Sequence, residues 1–313
     1  MGERLESGGL VAPARGGPPV QEARRRVSAA FWRHSWLRGV ALLLPPLAWF
    51  VLLYVAALAV LFVSAFWSVD VFTTKVVHVW NVDNFKQIVD SAAWRRVVAR
   101  TVVIAALVTI TDAVLAFPFA YYMARVAKRR TRALLFVLVL LPLWSSYLVR
   151  VYAWKVILAQ DGILNWSLTK IGLPAANIGY SNTAMWVVFS YIWLPFMILP
   201  IYAALERIPN SFIEASRDLG GRGFRTFRSV ILPLALPGVL AGSIFTFSLT
   251  LGDYITPTLV GGASSTFIGN VVYNTGLGAS GDLPFAAAFA SIPLIVMAIY
   301  LALARRAGAF EAL

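Results

Sequence analysis

Few residues in this chain have the type and spacing that chemistry requires. Gly276, Gly278 and Gly281 spell G-x-G-x-x-G. That turn cradles a pyrophosphate only when a strand precedes it and a helix follows. Here it lies in a stretch rich in Gly, Ser, Thr and Asn, and it reads as coincidental. A P-loop needs Gly-Lys followed by Ser or Thr, and no Gly-Lys pair occurs anywhere. No G-x-S-x-G elbow or H-E-x-x-H pair is present either. The chain has no cysteine, which removes disulfides and thiolate metal sites. His34 and His78 stand far apart. No catalytic residue and no metal ligand set is assigned, and the chain is not expected to be an enzyme.

What remains is charge in apolar surroundings. Asp112 and Asp253 sit in or beside long apolar runs. Ionisable groups in such places are costly and often mark a pathway. Asp253 is followed by Tyr254, and a carboxylate beside an aromatic ring suits an organic cation. Trp144 and Tyr147, near Pro142, could add aromatic surface. Each has a plainer reading. Asp253 could cap a helix. Asp112 could pair with Arg100 or with a residue of a partner subunit. Trp144 and Tyr147 could be packing or interfacial anchors. Arg150 could snorkel to an interface or bind an anion.

A third candidate is the stretch EASRDLGGRGFRTFRSVILPLALPG, residues 214–238. Ser211 stands three residues before Glu214, the spacing of a capping box. Gly220 and Gly221 can end a helix in a left-handed turn. The helix expected between them is Phe212–Leu219, with Phe212, Ala215, Ser216 and Leu219 on one face. So short a helix is marginal alone in water. Either a groove on another protein receives it or it is an amphipathic connector held by its own neighbours.

The elements that must carry these residues are membrane helices. The chain of 313 residues is 59% hydrophobic and only 13% charged, where a soluble domain is roughly 25% charged. Six apolar runs are read as spans: roughly Val40–Trp67, Val97–Ala124, Ala133–Leu158, Thr183–Leu205, Ser229–Leu251 and Phe285–Ala304. All should be helices, because open strands leave backbone groups unpaired in lipid. The fold class is therefore all-α and polytopic, with six transmembrane helices. Residues 1–38 read as a disordered basic tail, 39–68 as the first transmembrane helix, 95–304 as a five-helix core containing a loop at 206–228, and 305–313 as a second tail. Ile255–Gly281 reads as a loop with a short helix at Phe267–Tyr273.

The net charge of +13 does not point to nucleic acid, because its basic residues lie in short blocks between spans. The two tails and the loops after spans two and four hold 19 of the 27 basic residues. The positive-inside rule then puts both termini and residues 206–228 in the cytoplasm. No internal repeat of the kind found in ion-coupled transporters is visible. An ion-coupled secondary transporter stays as the alternative from another class.

The segment EASRDLG, nine residues and VILP resembles the EAA loop of ABC-importer permeases. Glu214, Ala215, Gly220, Leu232 and Pro233 match that pattern; Ser216 replaces its second alanine and Val230 its isoleucine. LPLWSSYLVRVYAWKVIL (141–158), LPFMILPIYAALERIP (194–209), GDYITPTLVGG (252–262) and IGNVVYN (268–274) are similar to permeases of spermidine/putrescine-type importers. The resemblance runs from about Val40 to Ala304. It implies a type I ABC-importer permease fold in the cytoplasmic (inner) membrane. It implies that Glu214, Ala215, Ser216, Arg217, Asp218 and Gly220 form a coupling helix on a separate ATPase, present in two copies and carrying ATP and Mg. No cofactor is expected on this chain. It further implies a second permease subunit, related but different, and an extracytoplasmic binding protein that delivers a small solute. Polyamine is the solute expected; ferric iron and thiamine are the alternatives within the family.

Overall fold

A computed structural model describes residues 35–70, 72–278 and 281–306. Of the expected tails at 1–38 and 305–313, residues 1–34 and 307–313 lie outside these residues, and Arg305 and Arg306 belong to the last helix. The chain divides into two compact units, residues 1–60 and 61–313.

In the first unit, α1 (Ser35–Trp49) continues as a π-helical turn, Phe50–Val55, and then as the start of α2 (Ala56–Ser64). α1 begins inside the stretch 1–38 assigned to the tail. The wide turn follows Pro45 and Pro46, which lack the N–H groups that a regular ladder would use. Leu42, Leu43, Leu44, Trp49 and Leu52 are exposed, as a lipid-facing helix requires.

The second unit opens with the end of α2 and a two-residue antiparallel pair, β1 (Ser68–Val69) with β2 (Val76–Val77), a small departure from the all-α expectation. Asp70 closes this hairpin by accepting the Thr73 and Phe72 N–H groups, both at 2.8 Å. Those amides, Thr73 first, hold its carboxyl below the usual range. Then come α3 (Asp83–Asp90), α4 (Ala92–Tyr121) with a π-helical turn at Tyr122–Val126, α5 (Arg129–Trp144), α6 (Tyr147–Ile157) and α7 (Ile163–Lys170). They are followed by α8 (Asn182–Arg207), α9 (Asn210–Asp218) and α10 (Gly223–Thr226). A third π-helical turn, Phe227–Ile231, leads into α11 (Leu232–Gly252). The last elements are α12 (Ile255–Val260), α13 (Ile268–Gly276) and α14 (Leu283–Arg306).

Among the described residues five helical runs are long and apolar enough to cross a membrane, and six if α5 and α6 count as one bent span. The expected third span, Ala133–Leu158, is not one straight helix. α5 and α6 meet at 93°. Pro142 withholds an N–H near the end of α5, Ser145 and Ser146 are extended, and the Ser145 N–H and Oγ both turn back to the Pro142 carbonyl. The expected loop at Ile255–Gly281 contains two helices, α12 and α13. The G-x-G-x-x-G run falls at the end of α13 with no strand before it.

α4, α8 and α11 pack against one another as the centre of this unit. One buried cluster, with Ile104, Val108, Met185, Val188, Phe189 and Phe267, lies toward α12 and α13. Another, with Ala116, Ala120, Met123, Met197, Ile201 and Leu205, lies toward α9. The opposite side of α4 exposes Val103, Leu107, Ile110 and Val114, a stripe fit for lipid. In lipid, apolar side chains gain little by leaving solvent, so close packing of small residues must hold the helices together.

Candidate functional site

α9 lies between α8 and α10, at one end of the α4–α8–α11 core. It starts at Asn210, not Phe212, and its N-cap position is Pro209, with no side-chain cap. The expected capping box is absent for a steric reason. Pro209 has φ −63° and ψ 142°, which breaks the chain from α8 and lets the helix begin at once. Ser211 therefore stands inside the first turn. The C-terminal end follows the expectation. Gly220 has φ +80°, the Gly221 N–H reaches the Ser216 carbonyl at 2.8 Å, and the Gly220 N–H reaches Arg217 at 2.9 Å. Those two bonds are a Schellman motif, which requires a left-handed residue at Gly220.

The expected face of α9 is exposed. Phe212 is 52% and Leu219 87% accessible. With Ala215, Ser216, Gly221, Arg225, Ser229 and Val230 they line a concavity of about 470 Å³. Glu214, Arg217 and Asp218 are exposed, and no ion pair among the described residues involves them. Ile213 on the inner side packs on the buried cluster below, and the Ser216 and Thr226 hydroxyls are hydrogen-bonded at 3.0 Å. A helix held by one side, with apolar and charged groups free on the other, is chemically suited to insertion in a protein groove.

The far end of the core holds Asp253, just past α11. The Tyr147 hydroxyl donates to its Oδ2. Thr256 Oγ1 donates to the same oxygen at 3.1 Å, and the Ile255 and Thr256 N–H groups donate to Oδ1 at 2.7 and 3.2 Å. Four donors fill the carboxylate's acceptor sites, and the residue is only 9% exposed. In this arrangement Asp253 starts α12 and holds α6 against it, with no lone pair turned to a passing cation. The Tyr147 ring stacks on Trp193 at 5.8 Å, and the Arg150 guanidinium lies 5.9 Å from its centroid.

The other aromatic candidates separate. Tyr254 stacks on Tyr273 at 4.7 Å and faces a concavity of about 320 Å³ walled by Gly252, Gly269, Gly276 and Ala286. Trp144 is 80% exposed and makes no ring contact among the described residues. Asp112 is fully buried in α4 and does not pair with Arg100, which donates to the Thr266 carbonyl instead. The Asp112 carboxyl interacts with the Ser190 hydroxyl of α8, and among the described residues the buried Trp193 Nε1 on α8 and Thr246 hydroxyl on α11 make no hydrogen bond.

Residue-by-residue reading missed Asn270. Its Oδ1 accepts the Phe267 N–H at 3.0 Å, and its Nδ2 donates to the Tyr254 carbonyl at 2.8 Å and to Thr258 Oγ1 at 2.7 Å. It fastens α13 to the α11–α12 corner, and the IGNVVYN run was its one trace in the sequence. Asn270→Ala would strand the Phe267 N–H, while the Tyr254 carbonyl keeps the Thr258 hydroxyl at 2.6 Å. The substitution is expected to cost about 2 kcal/mol, within the range for buried polar groups that lose their partner. A fall in Tm of the detergent-purified protein reads this; an unchanged Tm would show that the corner is held by packing alone.

Residues 116–308 match the family described as binding-protein-dependent transport system inner membrane component. The chain is 46% identical to the inner membrane ABC transporter permease protein YdcU of Escherichia coli K12 over 308 residues, which cover 94% of this chain and 97% of that protein. It is 36% identical to the spermidine/putrescine transport system permease protein PotB of Haemophilus influenzae over 69% of this chain and 75% of that one. Among solved structures, a chain of the bacterial ABC transporter that imports the acidic polysaccharide alginate superposes with a TM-score of 0.70 at 19% identity, covering 90% of this chain and 99% of that chain. A chain of the inward-facing MetNI methionine ABC transporter gives 0.51 at 20% identity, covering 67% and 92%.

Proposed function

Because the chain belongs to the binding-protein-dependent transport inner-membrane components, and is a multi-pass permease subunit of an ABC importer rather than an enzyme, we propose that α9 is its coupling helix and that its solute is a polyamine. The observation that carries the first part is the exposed face of α9. Phe212, Ala215, Ser216 and Leu219 supply an exposed, partly apolar surface, with Glu214, Arg217 and Asp218 beside it in no ion pair among the described residues. An ATPase cleft is the natural occupant, since this chain has no phosphate-binding loop of its own. ATP and Mg belong to that subunit. The termini and α9 face the cytoplasm by charge.

ATP binding draws a pair of ATPase subunits together and favours the outward-open permease; hydrolysis resets it. The coupling is a difference in affinity between two conformations. A related second permease chain completes the path, and an extracytoplasmic binding protein delivers solute to the far end. The solved bacterial alginate ABC transporter is in complex with an alginate pentasaccharide-bound periplasmic protein, which supports that arrangement here.

The polyamine reading is supported by likeness to the spermidine/putrescine permeases and by the aromatic surface of Tyr254 and Tyr273. Stacked tyrosines with Gly and Ala walls suit a flexible chain of methylenes and ammonium groups. In proteoliposomes holding the full importer and its binding protein, spermidine or putrescine is expected to stimulate ATP hydrolysis several-fold over the solute-free rate, with thiamine and ferric iron inert. Stimulation by one of those and none by polyamine would overturn the solute assignment and leave the coupling assignment standing.

A further inference from the structure

α8 and α9 are joined by two residues, Ile208 and Pro209, both extended, with ψ 119° and 142°. A two-residue extended joint lets one helix swivel on the other unless something bridges it. The bridge comes from a third element. Arg125 lies on the π-helical turn that ends α4, where the Ala127 N–H closes a wide turn to the Tyr122 carbonyl at 2.8 Å. Such turns displace a side chain from the regular helical face.

The Arg125 guanidinium donates to the Leu205 carbonyl at 2.5 Å, to the Ile208 carbonyl at 2.6 Å and to Asn210 Oδ1 at 3.0 Å. Leu205 is in the last turn of α8, where its carbonyl also accepts the Ile208 N–H at 3.3 Å, and Ile208 follows the helix end, so both carbonyls lie at the electronegative terminus of that helix. Asn210 is the first residue of α9. One planar cation thus holds both sides of the joint, from a helix that belongs to neither. Arg132, in the first turn of α5, fixes the platform beneath it. Its Nε and one terminal nitrogen donate to the Met123 and Ala124 carbonyls at 2.9 and 3.1 Å, and its other terminal nitrogen lies 3.5 Å from Glu206. Glu206 also accepts the Tyr202 hydroxyl at 3.0 Å.

We propose that Arg125 is the positioning residue that makes α9 and the ends of α4 and α8 move as one body, so that displacement of α9 by the ATPase reaches the α4–α8–α11 core. This rests on the reading of α9 as the coupling helix. Arg125 does not itself face the ATPase-binding concavity; it transmits what happens there. Lysine keeps the charge but not the planar fork that reaches three acceptors at once.

The test uses the complete importer in proteoliposomes and reads solute moved per ATP hydrolysed. Arg125→Ala is expected to retain the ATPase and to hydrolyse ATP, while the ratio falls by at least ~10-fold; Arg125→Lys should lie between that variant and the parent. A residue that only caps α8 would lower Tm and leave the ratio unchanged, and that result overturns the proposal. If Arg125→Ala does not fold, Asn210→Ala decides: it removes the one acceptor on the α9 side of the joint, and the ratio should fall by about 2-fold or more, because the two carbonyls of α8 still hold the guanidinium. An unchanged ratio there overturns the proposal equally. Failure of the parent permease to retain any ATPase overturns the coupling-helix reading itself, and this inference with it.

Discussion

Glu214→Lys is expected to abolish ATP-driven uptake while leaving the protein inserted and folded. Glu214 is exposed and joins no ion pair among the described residues. Its replacement should therefore change stability by no more than about 0.5 kcal/mol, as for most surface sites. At a docked interface the same change replaces a carboxylate by an ammonium against the group that received it. Breaking one such desolvated charge contact typically costs 2–5 kcal/mol, or about 30- to 4000-fold in affinity. Reversal adds repulsion to that loss. Uptake should fall to background, and the ATPase should no longer co-elute with the permease. Normal uptake with normal membrane levels would show that Glu214 has no place in the interface.

The second large effect is structural. Gly238 in α11 faces α8 so closely that a Cβ there would lie 2.5 Å from Ala204 Cβ, 2.7 Å from the Pro200 carbonyl and 3.2 Å from Ile201 Cα. Two of those three atoms are backbone and cannot rotate away. Gly238→Leu must push α8 and α11 apart along the most extensive of the core's three helix contacts. Overpacking of a well-fitted core typically costs 1–3 kcal/mol, and here four heavy atoms enter with no space for the first. We expect a loss of more than about 3 kcal/mol, read as a Tm fall of the purified chain and as failure to accumulate in membranes, with Gly238→Ala affected less. The consequence reaches function, because α8 leads into α9 and α11 follows it through α10 and the third π-helical turn. Full accumulation and an unchanged Tm for the leucine variant would mean that the two helices are not in tight contact in the membrane.

Periodicity and composition made the spans and the exposed face of α9 legible. Apolar runs are long because lipid demands it, and the 212/215/216/219 spacing is a local property of one helix. Gly220 was legible for the same reason, since a left-handed residue is needed at one defined place. The start of α9 was misread because Ser211 and Glu214 have the spacing of a capping box while Pro209, two residues earlier, had already broken the chain. The 93° bend between α5 and α6 was legible only in part. Pro142 marks weakness, but the direction of the break is set by Tyr147 reaching Asp253, 106 residues away. The same separation hid the role of Asp253. Taken alone it is an acid beside a tyrosine; in the fold four donors converge on it. Arg125 was counted only as one positive charge in a basic loop. Its partners lie 80 to 85 residues on, and no local pattern could have named them.

The central claim is that α9 is gripped by an ATPase from the cytoplasmic side. The chain has no cysteine, so Leu219→Cys places a single thiol at a position that is 87% exposed on the docking face. In sealed cells this thiol is expected to resist a membrane-impermeant maleimide added outside, and in the assembled importer to form a cross-link to the ATPase whose yield changes with ATP. Labelling from outside, or an assembled importer in which no nucleotide-hydrolysing subunit cross-links to that thiol, would contradict the account.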